Sequence, residues 1–144
     1  MIAVDTNILV YAHRREVERH QDARQLVADL AEGQRPWAIP WPCVYEFFSV
    51  VTNPRIWQSA ASTPSQATDQ INAWLGSPSV NTLSEPADFL RVLEPMLRMN
   101  RLRGGIVHDA RVAALCLVHG VDELLTCDRD FQLFTDLKTR DPFL

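Results

Sequence analysis

The strongest constraint on this chain is an alternation. Apolar runs too short to be helices recur between stretches of helical spacing, from the first residues to the last. Ile2 to Val4, Trp37 to Ile39, Val80 to Leu83 and Leu124 to Cys127 read as strands, with a further one near Leu137 to Arg140. Helical stretches fall near 6–13, 18–31, 42–53, 87–99 and 108–119. Thr63, Pro64 and Gln66 supply an N-cap, a proline at the first helical position and a capping-box partner, which predicts another helix running to Leu75 and stopping at Gly76. Pro95 lies inside the 87–99 stretch and should kink or split it. Strands separated by helices imply an α/β fold, a parallel sheet with helices on both faces. At 144 residues, without repeats or a low-complexity linker, the chain is expected to form one domain over 1–144.

Several function classes are excluded at this level. Cys43, Cys116 and Cys127 are odd in number and lack CxxC spacing, which predicts reduced thiols and a cytoplasmic protein. The opening M-I-A-V-D-T-N has no basic region of the kind that starts a secretory signal. No apolar run approaches the roughly 20 residues that span a bilayer, so no membrane role is expected. His13, His20, His108 and His119 form no HxxxH pair and no Cys/His cluster, which argues against zinc.

In an open parallel sheet, ligands bind beyond the carboxyl ends of the strands. Asp5 directly follows I-A-V and Asp128 follows L-L-T-C, so two strands each deliver an aspartate to that edge. Asp109 opens a helix rich in small residues, where a carboxylate can simply offset the helix dipole. Glu46 sits in W-P-C-V-Y-E-F-F-S-V-V, where a buried carboxylate would need a partner and an exposed one would not. If the four converge, their mutual repulsion calls for a cation. Oxygen donors alone suit Mg²⁺ or Mn²⁺, and such ions serve phosphodiester hydrolysis.

These residues carry a resemblance. The opening V-D-T-N-I-L-V-Y-A, Glu46 in the helix after the second strand, H-D-A-x-x-A-A at 108–114 and T-C-D-R-D-F at 126–131 resemble the acidic motifs of PIN-domain nucleases, most closely the VapC-type toxins of bacterial toxin–antitoxin pairs. The motifs stand in the family's order from residue 2 to residue 131. The resemblance implies a single PIN-like domain with Mg²⁺- or Mn²⁺-dependent endoribonuclease activity, leaving a 5′-phosphate and a 3′-hydroxyl. It implies Asp5, Glu46, Asp109 and Asp128 as metal-binding and catalytic acids, with Asp130 as a secondary acid acting through water or as a cap. Thr6, Asn7 and Thr126 would orient the acids. It further implies a cognate antitoxin as partner, an RNA substrate and a homodimer.

Other readings fit less well. D-R-D at 128–130 superficially offers the DxD of phospho-aspartate enzymes, but Lys138, the only lysine, follows too closely to serve as their later phosphate-binding lysine. The five glycines form neither GxGxxG nor GK[ST]. A PIN-fold module that has lost catalysis and only binds a partner is the remaining alternative. Arg98, Arg101 and Arg103 lead into G-G-I-V-H-D and would place a basic loop for RNA contact beside Asp109, unless they form a solvated turn. Arg14, Arg15 and Arg19 read as a solvated face, His108 as a surface or packing residue, and Trp37, Trp41 and Trp57 mostly as core.

The net charge of −4 would exclude a broadly basic nucleic-acid binder. Its distribution says more. Removing the four candidate acids from 18 Asp+Glu leaves 14, equal to the 14 Lys+Arg. The whole excess of negative charge is therefore equal to that of the candidate site.

Overall fold

The computed structural model describes residues 1–144. Five strands, β1 (Ile2–Val4), β2 (Trp37–Pro40), β3 (Val80–Leu83), β4 (Glu123–Leu125) and β5 (Thr139–Arg140), are joined by seven α-helices. These are α1 (Thr6–His13), α2 (His20–Glu32), α3 (Trp41–Val51), α4 (Pro54–Trp57), α5 (Pro64–Leu75), α6 (Leu90–Leu97) and α7 (Ile106–Val118). The sheet is parallel throughout, in the order β3-β2-β1-β4-β5. From β1 the chain moves outward through β2 to β3, then crosses back to β4 and continues to β5. Because parallel crossovers are right-handed, this reversal sends α1 to α5 to one face and α6 and α7 to the other. It also opens a crevice between β1 and β4, at the point where the winding changes direction.

The register sets that crevice. Val4 lies opposite Leu125, and the Asp5 amide donates to the Leu125 carbonyl at 3.0 Å. Asp5 and the residues after Leu125 therefore leave the sheet side by side. The strands flanking the crevice are buried on both faces, as near-continuous apolar runs in a parallel sheet require. One contiguous core of 32 buried residues lies around them, with Trp37 and Phe47 among its largest members.

Most element assignments from sequence match, and the departures have local causes. α5 runs from Pro64 to Leu75 behind a complete capping box, in which Thr63 Oγ1 accepts from the Gln66 amide at 3.1 Å and Gln66 Oε1 accepts from the Thr63 amide at 2.9 Å. Pro95 does not split its helix; α6 is instead shortened to eight residues, after a turn in which the Phe89 amide reaches the Pro86 carbonyl. The fourth strand begins at Glu123 rather than Leu124 and ends before Thr126, whose hydroxyl is turned toward Asp5. The short α4, opened by Asn53 as cap and Pro54 at its first position, was not anticipated.

Two side-chain expectations are corrected. Arg14 is not on a solvated face: it is only 6% exposed, its guanidinium lies 4.2 Å from the centre of the Trp57 ring, and Nη1 donates to Ser62 Oγ. Trp57 and Trp41 are only partly buried, so of the three tryptophans near Glu46 only Trp37 is fully core. No helix is long and apolar enough to cross a membrane.

Candidate active site

The site is built outward from Asp5, which ends β1 and caps α1. As a cap its Oδ1 accepts from the Thr6 amide at 2.7 Å. Its other oxygen accepts from Thr126 Oγ1 at 2.7 Å and Asn7 Nδ2 at 3.0 Å, and the Cys43 thiol approaches Oδ1 at 3.7 Å. Asp5 is 6% exposed. Burial raises its pKa above the ordinary aspartate value even against the hydrogen bonds that favour its charge, and Glu46 adds to the rise.

Three neighbours tie the strand ends together. Thr126 gives its hydroxyl proton to Asp5 while the same oxygen accepts from the Asp128 amide at 3.0 Å. Asn7 reaches across from α1, its Oδ1 accepting from the Cys127 amide at 3.2 Å and its Nδ2 lying 3.3 Å from Thr126 Oγ1. Thr6 Oγ1 donates to Glu46 Oε2 at 2.8 Å and so fixes a carboxylate on α3 from the first residue of α1. Helix capping and orientation of the acids thus coexist in the same residues.

A cavity of about 270 Å³ is lined by Asp5, Thr6, Asn7, Val10, Tyr11, Glu46, Val50, Asp109 and Asp128. All four acids expected from sequence are on its wall. Glu46 is exposed, so burial in an apolar helix is not what marks it; its hydrogen bond from Thr6 and its place in the cavity are. Asp109 projects from the first turn of α7, which follows a turn at Gly104 with φ of 60°. Asp130 is not on the cavity wall but stands beside two of these acids. Its amide donates to Asp128 Oδ1 at 2.9 Å, and carboxylate oxygens of Asp109, Asp128 and Asp130 all lie within 4.8 Å of one another.

Charge explains what this arrangement can hold. None of the five acids forms an ion pair with Lys, Arg or His. Asp109 is pushed up to about 7, first by partial burial and then by Asp128, Asp5, Asp130 and Glu46 in turn. The group is neutralised by no ion pair and offers oxygen donors. The neighbouring Cys43 thiol is held protonated by complete burial and by Asp5, so it adds no soft ligand. Such a donor set fits a hard dication of the Mg²⁺ or Mn²⁺ kind.

Sequence reasoning assigned no role to Cys43 beside Asp5 or to Val10, Tyr11 and Val50 on the cavity wall. Cys43 could have been found, because it lies three residues before Glu46 and thus on the same side of α3. Of the three loop arginines, Arg98 is tied to Glu94 at 2.8 Å and Arg103 Nε to the Asn100 carbonyl at 3.2 Å, while Arg101 makes no ion pair. His108 is exposed and lines no part of the cavity.

Comparisons with known proteins agree with this geometry. The family described as PIN domain matches residues 2–137. Ribonuclease VapC48 of Mycobacterium tuberculosis is 31% identical over 139 residues, covering 96% of this chain and 95% of that protein. Among solved structures, the M. tuberculosis toxin VapC20, described as cleaving the sarcin–ricin loop, superposes with a TM-score of 0.68 at 20% identity, covering 92% of this chain and 93% of its own. VapBC2 from Rickettsia felis, solved bound to a DNA fragment from its promoter, gives 0.64 at 19% identity, covering 97% and 98%. The two structures share the fold; the family match spans nearly every element that positions the acids. The chain belongs to the PIN-domain family.

Proposed function

We propose that this protein is a metal-dependent endoribonuclease and the toxin of a toxin–antitoxin pair. The observation that carries the reading is the convergence of Asp5, Glu46, Asp109 and Asp128 at the β1/β4 crevice, with Asp130 beside the last two and no ion pair from any of the five to a cation of the chain. The ribonuclease relatives that match almost end to end support the substrate class. Asp109, Asp128 and Asp130 would hold the ion, with Asp5 and Glu46 completing the acidic wall. The chemistry a bound Mg²⁺ or Mn²⁺ supplies in such a site is a lowered pKa for water and neutralisation of charge on the phosphate.

The chain's own residues do the positioning. Thr126 and Asn7 hold the Asp5 carboxylate in one orientation, and Thr6 does the same for Glu46. Rigidly held acids lose little on ordering when the substrate arrives. Tyr11, Val10 and Val50 give the cavity an apolar side on which a nucleotide can rest. Hydrolysis adds water oxygen to phosphorus and breaks the bond to O3′, which takes a proton, leaving a 5′-phosphate and a 3′-hydroxyl. The basic segment carrying Arg98, Arg101 and Arg103 is the proposed RNA contact. A cognate antitoxin would silence the enzyme; VapBC2 of Rickettsia felis and VapBC-1 of nontypeable Haemophilus influenzae, which share its fold, support such a partner. We place its action in the cytoplasm, as a homodimer.

The test is incubation of purified protein with a pool of structured RNAs, with Mg²⁺ or Mn²⁺, with a chelator, and beside Asp5→Asn and Asp109→Asn. Cleavage is expected only for the wild type with metal. Cleavage that persists in chelator or in both variants would sink the reading. Tight binding of a co-encoded small protein without RNA cleavage under any condition would favour the non-catalytic binding module.

A further inference from the structure

Two hollows meet at the acidic triplet. Asp109 and Asp128 line the first. Asp130 lines the second, of about 310 Å³, together with Arg101, Ile106, Arg129, Gln132 and Leu133. The sequence brings them together from two directions: the loop before α7 supplies Arg101, and the 3₁₀ turn Arg129–Leu133, capped by Asp128, supplies the rest of the polar wall. Arg129 stands between Asp128 and Asp130, so one short turn spans both hollows.

Five of the chain's 13 arginines are satisfied by acids of the chain itself. Arg14, Arg91, Arg98, Arg111 and Arg140 are each in an ion pair with a neighbouring carboxylate. Arg101 and Arg129 are exposed and in none, although Asp130 lines the same hollow. Two cations share this concavity with the single Asp130 carboxylate, with which neither pairs, which leaves the site short of an anion, and planar guanidinium forks match phosphate oxygens. Ile106 and Leu133 add an apolar wall suited to a sugar or base.

We propose that Arg101 and Arg129 bind the phosphodiester adjacent to the scissile one, so that the RNA strand passes from the acidic cavity over Asp130 into the second hollow. The inference rests on the nuclease reading above. It makes Arg129 a substrate-positioning residue and selects Arg101 from the three loop arginines.

The test uses the Arg101→Ala/Arg129→Ala double variant, the corresponding double lysine variant, and Arg35→Ala as a control before β2, at the opposite edge of the sheet. Affinity for a short mixed-sequence single-stranded RNA is measured against salt in an Asp5→Asn background, and cleavage of the structured RNA pool is followed with Asp5 intact. Two lost phosphate contacts should flatten the slope of log affinity against log salt by about 1.4. They should also raise KM about tenfold with kcat little changed, because the contact is made in ground and transition states alike. The lysine variant should recover most of the slope, and the control should match the parent. An unchanged slope and KM in the alanine variant would overturn the proposal, as would loss of affinity for a co-encoded antitoxin but not for RNA. If the wild type cuts no RNA yet its binding loses the slope in the alanine variant, the subsite stands and the catalytic reading falls.

Discussion

Strand β4 has acids at both ends, and they are treated in opposite ways. At its start Glu123 is 7% exposed and accepts from Arg140 Nε at 3.0 Å, with Lys138 Nζ at 3.1 Å. Those partners, Arg140 first, hold its carboxyl below the ordinary glutamate value. Just beyond the strand's other end, Asp128 and Asp130 face Asp109, which is pushed up to about 7. One buried acid is satisfied within the chain, whereas the less buried cluster is not. Burial therefore does not separate a structural carboxylate from a functional one; the presence of a cation in the same chain does.

The sharpest way to break this contrast is Asp109→Asn. If the cluster waits for a dication, the variant should lose about 10³-fold in kcat, or about 4 kcal/mol of barrier stabilisation. Its stability should move the other way. Without metal, removing one of several mutually repelling carboxylates should raise Tm in chelator at pH 8. Added Mg²⁺ should raise the Tm of the wild type more than that of the variant, since binding to the folded state alone stabilises it. A variant less stable than the wild type in chelator would mean that Asp109 has a structural partner after all.

Thr6→Val sharpens the same end of the comparison. The hydroxyl that donates to Glu46 is lost, while the volume of this buried residue is kept. Loss of a group that orients a metal-site carboxylate commonly costs 10–100-fold. A drop of about 10-fold in kcat is expected, with metal affinity weakened and Tm within a few degrees of the wild type. Unchanged kinetics would show that Glu46 holds its position without Thr6.

At the paired end the effect should be on stability. Glu123→Gln leaves Arg140 and Lys138 without their counter-charge, and because both cations reach solvent the cost should be about 1–2 kcal/mol, with cleavage unaffected. Glu123 titrates lower in the folded than in the unfolded chain. Its contribution is therefore complete above the unfolded value, near pH 4.5, and is lost as pH falls through the lower folded one. The stability gap between wild type and Glu123→Gln should close over that acid range when urea midpoints are compared.

How much of this was legible in the sequence depends on distance along the chain. Asp5 and Asp128 were placed from apolar runs alone, because parallel strands send the chain out at one edge, Asp5 directly after β1 and Asp128 three residues beyond the end of β4. The α5 boundaries followed from Thr63, Pro64 and Gln66, whose signals are local. The start of β4 at Glu123 was not legible, since a charged residue enters a strand only if its partners, here 15 and 17 residues later, are known. The burial of Arg14 was hidden for the same reason: its stacking partner Trp57 and acceptor Ser62 are far along the chain. Glu46 was singled out for an environment it does not have, and it lies at the site because Thr6 and the β1/β4 crevice bring it there. The place of Asp130 beside Asp109 was not legible, because sequence spacing could not show where the turn capped by Asp128 would run.

The smallest expected effect separates Glu123's two cations. Lys138 is 73% exposed and Arg140 50% exposed, and only Arg140 places a second nitrogen, Nε, on the carboxylate at 3.0 Å. A flexible ammonium in solvent gives back in side-chain entropy much of what it gains in attraction, whereas Arg140 sets Nε and Nη2 together on Oε2 from one planar, preorganised group. Lys138→Ala should therefore cost no more than about 0.5 kcal/mol, and Arg140→Ala about 1 kcal/mol, measured from urea midpoints at low salt. Raising the salt should erase the first effect before the second. Were Lys138 to prove the stronger partner, the two-nitrogen contact from Arg140 would not be what keeps Glu123 charged. The contrast with the unpaired acids would then rest on the number of nearby cations alone.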